Sequence, residues 1–343
     1  MAKTNPGRFF EDYTVGEMIH HAVPRTVSGA ERALYHALYP ARHALYSSDE
    51  FARGCGLSGS PLDDIAAFHV VFGKTVPDIS LNALANLGYA QGRWLKPVYA
   101  GDTIRSTSEV IGVKQNSNGK SGVVWVRTRG FNQRDEVVLE YVRWAMVRKR
   151  DVESAAPETV IPQLAPAVEA SDLVIPDGLD FTNYDFTLAG EPHRWGDYDI
   201  GEVIDHVDGV TVEEAEHMMA TRLWQNTAKV HFDATLREDG QRLIYGGHVI
   251  SMARALSFNG LANAQIVAGL NGGTHANPCY SGDTIKAWSE VLDKAETSAP
   301  GVGAIRLRLV ATKGGAPFEL KGEDGRYLPQ VLLDLDYWAL MPV

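Results

Sequence analysis

The stretch YAGDTIRSTSEVI at residues 99–111 returns later in the chain as YSGDTIKAWSEVL at residues 280–292. Both stretches read Tyr-x-Gly-Asp-Thr-Ile, then a basic residue, two variable positions and Ser-Glu-Val. The same turn signal, followed twice by the same strand pattern, is the signature of an internal repeat. The fold therefore depends on how two copies of one unit are arranged.

The repeat extends well beyond this motif and keeps its order. Residues 12–19 match residues 197–204 at an offset of 185, and residues 144–146 match residues 338–340 at an offset of 194. Short loop insertions produce an offset that drifts in this way. We infer two copies of one domain.

The segment between the copies is rich in Ala, Pro, Glu and Asp and lacks periodicity, which is typical of a surface linker. We predict an N-terminal domain at 1–150, a linker at 151–190 and a C-terminal domain at 191–343.

Each copy contains one long apolar segment of helical character followed by alternating runs. The helical segments are residues 62–76 and 247–262, and the runs GVVWVRTRGF (122–131) and VGAIRLRLVAT (302–312) alternate apolar with polar residues. Alternation of this kind predicts half-buried antiparallel strands. The sequence thus predicts an α+β fold in which each copy wraps an antiparallel sheet around a long central helix. Pairing the two copies would cover their sheet edges, as in a dimer made covalent, and a further homodimer stays possible.

Composition excludes several classes of protein. The net charge of −11 argues against a nucleic-acid partner. The sequence contains no run of 18 apolar residues, so we expect no membrane span. Two cysteines without a CxxC pair, and an N-terminus without an apolar signal core, favour a cytoplasmic protein. The histidines show no metal-ligand spacing with carboxylates, so we expect no metal site.

The second copy carries a cluster of groups suited to proton transfer. Asn226 and His231 stand five apart, Asp233 follows, and Gly246-Gly247 precede the long helix. A histidine exchanges protons near neutral pH, and an amide close by can hold a water. Backbone N–H groups at a glycine-rich helix start can stabilise an enolate oxygen. This set of groups predicts addition or removal of water next to a thioester. The alternative interpretation is that His231 is an ordinary hydrogen-bonded histidine without a catalytic role.

The first copy lacks the same groups. At the offset of 185, Tyr46 takes the place of His231 and Ala41 that of Asn226, while Asp63-Asp64 replace the glycine pair. A carboxylate at an oxyanion site would repel the developing charge. We predict that the first copy is non-catalytic and helps to form the substrate pocket. The aspartates could also simply cap the helix that follows.

Residues 217–253 resemble the MaoC-like (R)-specific enoyl-CoA hydratases, in which a D-x-N-P-x-H-x-D stretch precedes an H-G pair at the start of the central helix of a hotdog fold. The resemblance implies a tandem double hotdog that binds a CoA thioester between its two halves. It also implies syn hydration, with CoA as part of the substrate and no separate cofactor. The full chain resembles double-hotdog members of this family whose enoyl-CoA substrate carries a free carboxylate.

This chain departs from the family motif at its first catalytic carboxylate, which is Asn226. Ala228-Lys229 replace the usual Asn-Pro and Gly246 replaces the usual His, whereas three positions are retained: His231, Asp233 and Gly247. Either His231 acts as the sole proton carrier or a carboxylate such as Asp233 completes the pair. A second negative charge at position 226 would repel the free carboxylate of the substrate.

Further residues are candidates for substrate binding rather than catalysis. Gly246, Tyr46 and His248 are expected near the pocket, although His248 can equally face a helix surface. Because an arginine can bind a carboxylate with two hydrogen bonds, three arginines are candidates for the free carboxylate: Arg42, Arg93 and Arg222. A hotdog thioesterase and a non-catalytic acyl-CoA-binding protein remain alternative functions.

Overall fold

The computed structural model describes residues 3–315 and 318–343. In chain order, the first half contains β1 (Met18–His20), β2 (Arg25–Thr26), α1 (Gly29–Leu38), α2 (Ala44–Ser47), α3 (Asp49–Gly54), α4 (Asp64–Ile79), β3 (Ala83–Trp94), β4 (Thr103–Gln115), β5 (Ser121–Phe131) and β6 (Val137–Arg148). The second half contains α5 (Phe186–Ala189), β7 (Val203–Thr211), α6 (Glu214–Leu223), α7 (Lys229–Phe232), α8 (Gly246–Leu256), α9 (Phe258–Leu261), β8 (Ile266–His275), β9 (Thr284–Glu296), β10 (Val302–Lys313) and β11 (Val331–Pro342). In each half, one or two strands precede a series of helices that includes the central helix, and four long strands follow; the second half also has α5 in front of its first strand.

The strands form one antiparallel sheet of eleven strands within the described residues. Its order is β1-β4-β5-β6-β3-β8-β11-β10-β9-β7, and β2 pairs with β4. The seam between the halves is the β3–β8 pair, in which Tyr89 faces Gly273 and Arg93 faces Gly269. The predicted α+β tandem of two wrapped sheets is confirmed, and the two copies cover each other's inner edge.

The central helices α4 and α8 are buried and meet each other. Fourteen of the sixteen residues of α4 are buried, and every residue of α8 after Gly246 is buried. The imidazole Nε2 of His69 on α4 lies 2.7 Å from the hydroxyl of Ser251 on α8. At Gly73 a side chain would stand 1.7 Å from the carbonyl oxygen of Trp224, so only glycine lets α4 pack against the end of α6.

The repeated motif is structural in both copies. Gly101 and Gly282 have φ values of +99° and +90°, which favour glycine, and each aspartate that follows accepts a hydrogen bond from the backbone of the motif's first tyrosine. The motif's second serine, Ser108 or Ser289, then pairs at 2.8 Å with a buried histidine from the preceding strand region. The motif therefore anchors a strand and supplies no catalytic group.

The segment 151–190 runs along the outside of the sheet and forms hydrogen bonds with it. Val160 forms an isolated antiparallel bridge with Val113, and the N–H of Val168 donates to Asn271 Oδ1 at 2.8 Å. Within the described residues, no helix has the length and apolarity to cross a lipid bilayer.

Candidate active site

A cavity of about 270 Å³ lies between the two halves of the chain. The first half contributes residues from α4, β3 and β6, and the second half contributes residues from α7, the start of α8 and the end of β8. Polar or aromatic residues of its wall include Ser80, Asn86, Tyr89, Arg143, Asn226, His231, Tyr245, His275 and Asn277. The structure thus brings two predicted catalytic residues, Asn226 and His231, into one cavity.

His231 lies on the short helix α7 and faces this cavity. Its Nδ1 lies 2.7 Å from the carbonyl oxygen of Leu243, and because a carbonyl only accepts, Nδ1 carries the proton. Burial lowers the pKa of His231 to about 4. At neutral pH the ring is therefore uncharged, and its Nε2 has a free lone pair for a proton.

Asn226 is 1% exposed and lies on the cavity wall. Its Oδ1 accepts a hydrogen bond from the N–H of Ala228 at 3.2 Å, which fixes the amide plane. The Nδ2 group makes no hydrogen bond with any described residue. This arrangement leaves a donor for a water molecule near His231.

The start of α8 leaves two backbone donors available. Tyr245 occupies the N-cap without capping through its side chain, and neither Gly246 nor Gly247 donates its N–H to any described residue. Gly246 lines the cavity, whereas Gly247 is buried behind it. Free N–H groups at the positive end of a helix suit a developing oxyanion.

Both glycines are required by close neighbours. A Cβ at Gly246 would lie 2.4 Å from Cε1 of His275, and one at Gly247 would lie 2.4 Å from Cζ of Tyr245. Those rings hold the helix start in place, so any side chain there would move it.

A buried histidine that the sequence argument did not single out positions this helix start. Nε2 of His217 accepts a hydrogen bond from the N–H of Tyr245 at 2.9 Å, and Oη of Tyr245 lies 3.1 Å from Nδ1 of His69. Burial lowers the pKa of His217 to about 2, which keeps the ring neutral and able to accept. The sequence signal that could have revealed His217 is its position as the first residue of the segment 217–253 that resembles the MaoC-like hydratases.

His275 is a second imidazole on the cavity wall. Its Nε2 lies 3.2 Å from Oη of Tyr89, across the seam, and burial lowers its pKa to about 4. Unlike His231, it has one nitrogen already engaged with a first-half side chain.

The cavity wall contains no carboxylate among the described residues. Asp233 is exposed, and its Oδ1 accepts hydrogen bonds from the N–H and hydroxyl of Thr235 in the next turn. The structure therefore places Asp233 in a surface cap and leaves His231 without an acidic partner.

The other predicted binding residues lie elsewhere. His248 is fully buried and its Nδ1 lies 3.2 Å from Oη of Tyr39, which places it in the core between the halves. Arg42 is exposed over the ring of Phe258. Arg93 pairs with Glu140 at 2.6 Å on the other side of the sheet, and Arg222 is exposed and donates to its own helix. None of these four residues lines the cavity.

The position in the first half that corresponds to the cavity is filled. The hydroxyl of Tyr46 donates to Oδ2 of Asp64, and the same oxygen accepts from the N–H of Val267 at 2.8 Å. Asp63 caps α4 by accepting from the N–H of Ile65 at 2.9 Å. The space beside them is about 20 Å³, so Tyr46 is not in contact with the large cavity. Because α4 begins at Asp64 and α8 begins at Gly246, the residue equivalent to Gly246 in the first half is Asp64 rather than Asp63.

Arg143 is a charged residue of the cavity wall that the sequence argument missed. It lies on β6 in a run in which Tyr141, Arg143, Ala145 and Val147 are all buried. A basic residue on the apolar side of an alternating strand was the signal that could have revealed it.

The sequence is similar to proteins of one enzyme family over nearly its full length. The sequence model of the mesaconyl-CoA hydratase family matches residues 1–316. A protein of Cereibacter sphaeroides named mesaconyl-CoA hydratase is 76% identical over 341 residues, with 99% of both chains covered. A protein of Chloroflexus aurantiacus named beta-methylmalyl-CoA dehydratase is 56% identical over 349 residues, also with 99% coverage of both chains.

Solved structures agree with the architecture. A crystal structure of a MaoC domain protein dehydratase from Chloroflexus aurantiacus superposes with a TM-score of 0.97 at 55% identity, covering 100% of this chain and 99% of that one. A Mycobacterium tuberculosis protein described as a double hotdog superposes with a TM-score of 0.75 at 23% identity and covers 98% of both chains. The tandem double hotdog predicted from the sequence is confirmed.

Proposed function

The chain belongs to the mesaconyl-CoA hydratase family, and from that premise we propose that it interconverts mesaconyl-CoA and β-methylmalyl-CoA by reversible addition of water. It is a hydro-lyase of the hydratase and dehydratase type. The observation that supports the substrate-level proposal is the cavity in which a neutral imidazole, an unengaged amide and the free N–H group of Gly246 at the helix start meet.

The thioester carbonyl is proposed to lie at the start of α8. The N–H of Gly246, which lines the cavity, donates to the thioester oxygen, and the N–H of Gly247 adds to the positive potential there. Charge that collects on this oxygen during attack is stabilised by donors that need no reorganisation. Gly246 takes the leading part that the sequence argument gave to Gly247.

Water is proposed to sit between Asn226 and His231. Nδ2 of Asn226 donates to the water oxygen, and Nε2 of His231 takes one of its protons. The hydroxyl bonds to the β-carbon, and the electrons of the double bond move towards the thioester oxygen. The ring is fixed by Leu243, so the attack geometry is set before substrate binds.

The same imidazole is proposed to complete the reaction. The proton on Nε2 passes to the α-carbon, the double bond to oxygen re-forms, and the net change is addition of one water. One proton carrier on one face gives syn addition, and the absence of a carboxylate from the described wall favours a single carrier over a His–Asp pair. Dehydration follows the reverse path.

The proposed reaction uses side chains and backbone groups of a single chain. Base, water donor and oxyanion donors all come from the second half, so we propose that the reaction uses no cofactor besides the CoA of the substrate. Both halves of one chain line the cavity. We further propose that this reaction belongs to the ethylmalonyl-CoA pathway.

The direct test is absorbance of the enoyl-thioester band after addition of mesaconyl-CoA. We expect a fall to an equilibrium value and no free thiol, and we expect β-methylmalyl-CoA to restore the band. The relative configuration of the two new stereocentres distinguishes syn from anti addition. An unchanged band would contradict the proposed function, and release of CoA thiol would identify a thioesterase.

A further inference from the structure

Arg143 is buried deeply in the wall of the cavity that also contains His231. It has 0% exposure, and it comes from the first half of the chain whereas His231 comes from the second. The register pairs it with Tyr89 on β3, next to the seam. Its side chain is therefore supplied by the half that lacks the proton-transfer groups.

The guanidinium has neutral partners only. Nη2 donates to the hydroxyl of Thr75 at 2.7 Å, both terminal nitrogens lie 3.4 Å from the hydroxyl of Ser80, and Cζ lies 4.2 Å from the centre of the Phe72 ring. Among the described residues, no carboxylate pairs with Arg143, and its Nε is buried without an acceptor. A second polar group on the same wall, the side-chain amide of Asn86, has neither its oxygen nor its nitrogen engaged.

A buried charge without a counter-charge is costly unless a ligand completes its hydrogen bonds. A second buried arginine, Arg254 on α8, meets this need through the carbonyl oxygens of Ala264 and Gln265 and the ring of His43. Arg143 has no such carbonyl partners and opens onto a cavity. A planar guanidinium with a free Nε matches a carboxylate.

We propose that Arg143 binds the free carboxylate of the acyl group and selects dicarboxylic enoyl thioesters over monocarboxylic ones. This inference rests on the proposed function for the identity of the substrate. In mesaconyl-CoA the free carboxylate is bonded to the β-carbon, the atom that receives the hydroxyl. Pairing the carboxylate with Arg143 places that carbon in the cavity facing Asn226 and His231. It also offsets the negative charge that would repel an incoming water oxygen.

The assignment replaces the three arginines suggested by the sequence. Arg93, which is exposed in part and paired with Glu140, offers a matched control because it lies on the same half of the chain but outside the cavity. Arg143→Met retains the length and apolar stem of the side chain, and Arg143→Lys retains the charge without the planar fork.

The experiment compares mesaconyl-CoA with tiglyl-CoA, in which a methyl group replaces the free carboxylate and the α-methyl group is kept. We expect Arg143→Met to lower kcat/KM for mesaconyl-CoA by roughly 10²–10³-fold, as for removal of one partner of a buried charge pair, and to change that for tiglyl-CoA by less than about threefold. Arg143→Lys should give an intermediate loss, and Arg93→Met should change neither value. An equal loss on both thioesters, or no loss on mesaconyl-CoA, would overturn the inference.

Binding of the saturated analogues separates this inference from the proposed reaction. Calorimetry with methylsuccinyl-CoA and 2-methylbutyryl-CoA should show a preference for the former that Arg143→Met removes, with the melting temperature checked for both variants. If that preference is present in a protein that does not hydrate mesaconyl-CoA, the proposed function fails and the carboxylate site stands. If hydration occurs but the preference survives in Arg143→Met, the carboxylate site fails and the function stands.

Discussion

The Nδ1 atom of His231 lies 2.7 Å from the carbonyl oxygen of Leu243, twelve residues further along the chain. This contact fixes the tautomer of the ring, because the carbonyl can only accept and the proton must therefore be on Nδ1. The other ring nitrogen, Nε2, therefore carries no proton in the resting enzyme and can accept one directly. Several properties of the enzyme depend on this one contact.

Removal of the imidazole should abolish most of the turnover. We expect His231→Gln to lower kcat for hydration of mesaconyl-CoA by about 10²–10⁴-fold, the range for loss of a general acid–base group. The matched control is His193→Gln, since the side chain of His193 is exposed and lies outside the cavity. Near-full activity of His231→Gln, with His275→Gln inactive, would move the base to the second imidazole.

The pH profile should report a weakly basic imidazole. Burial lowers the pKa of His231 to about 4, so the neutral form that accepts the water proton persists well below pH 6.5. We expect kcat/KM for hydration to stay level from pH 8 to about pH 5.5 and to fall only as pH approaches about 4. A half-maximal point near 6.5 in a folded sample would show that the ring is more solvated than the structure indicates.

Placing at position 226 the carboxylate of the MaoC-like (R)-specific enoyl-CoA hydratase motif should lower the activity of this enzyme. Asn226→Asp would place a negative charge at a 1% exposed position in the cavity in which we propose that a carboxylate substrate binds. We expect kcat/KM for mesaconyl-CoA to fall by about tenfold or more and that for tiglyl-CoA to fall less, because only the first carries the repelled charge. Asn118→Asp adds the same charge at an exposed turn and should leave both unchanged. A gain on mesaconyl-CoA would indicate that a carboxylate is the missing catalytic group.

A methyl group at the helix start should disturb the oxyanion donors. The Cβ of Gly246→Ala would lie 2.4 Å from Cε1 of His275, so either the ring or the backbone must move. We expect kcat to fall by about 10²-fold, comparable to loss of one oxyanion donor. Gly29→Ala begins α1 in open space and should retain activity and stability. Wild-type kcat in Gly246→Ala would show that the thioester oxygen lies elsewhere.

Buried neutral histidines should make the fold sensitive to acid. Burial lowers the pKa of His69 to about 3, of His248 to about 3 and of His217 to about 2. The unfolded chain binds these protons below about pH 6.5 while the folded chain does not, so the free energy of unfolding is fully retained above pH 6.5 and decreases as pH falls towards 4. Each such histidine contributes a slope of about 1.4 kcal/mol per pH unit in that window.

Urea unfolding at a series of pH values between 7.5 and 5 measures this slope. Replacing one such ring, as in His69→Gln, should reduce the slope by about one proton, whereas His193→Gln should leave it unchanged. A free energy of unfolding that stays constant from pH 7.5 to pH 5 would contradict the assignment of these rings as neutral.

Much of the architecture was available from the sequence because its signals are local or repeated. The two Gly-Asp turns, the alternating strands and the drift in offset predicted two wrapped sheets, and the structure confirms them. The asymmetry was visible in the same way, since Tyr46 and Asp64 stand where the second copy has His231 and Gly246. Their direct hydrogen bond explains physically why the space in the first half is filled.

The binding residues were predicted less well because they depend on contacts across the seam. Asp233 is two residues from His231, but the turn after α7 directs its carboxylate to Thr235 at the surface. Arg143 is more than eighty residues away in sequence and reaches the cavity only because β3 and β8 pair. Strand alternation along β6 was the signal that pointed to Arg143, whereas nothing in the local sequence around Arg42, Arg93 and Arg222 showed that they lie outside the cavity.

The β3–β8 seam also has a consequence for how such a protein can diverge. Trp144 and Trp338 occupy equivalent positions of the repeat. The residue in the second half that is equivalent to Arg143 is therefore Tyr337, which is buried. Two identical subunits would be forced to carry the same residue at both places and hence two like pockets. Joining the subunits in one polypeptide frees each side to mutate alone, so that one half can specialise in holding the substrate while the other specialises in transforming it.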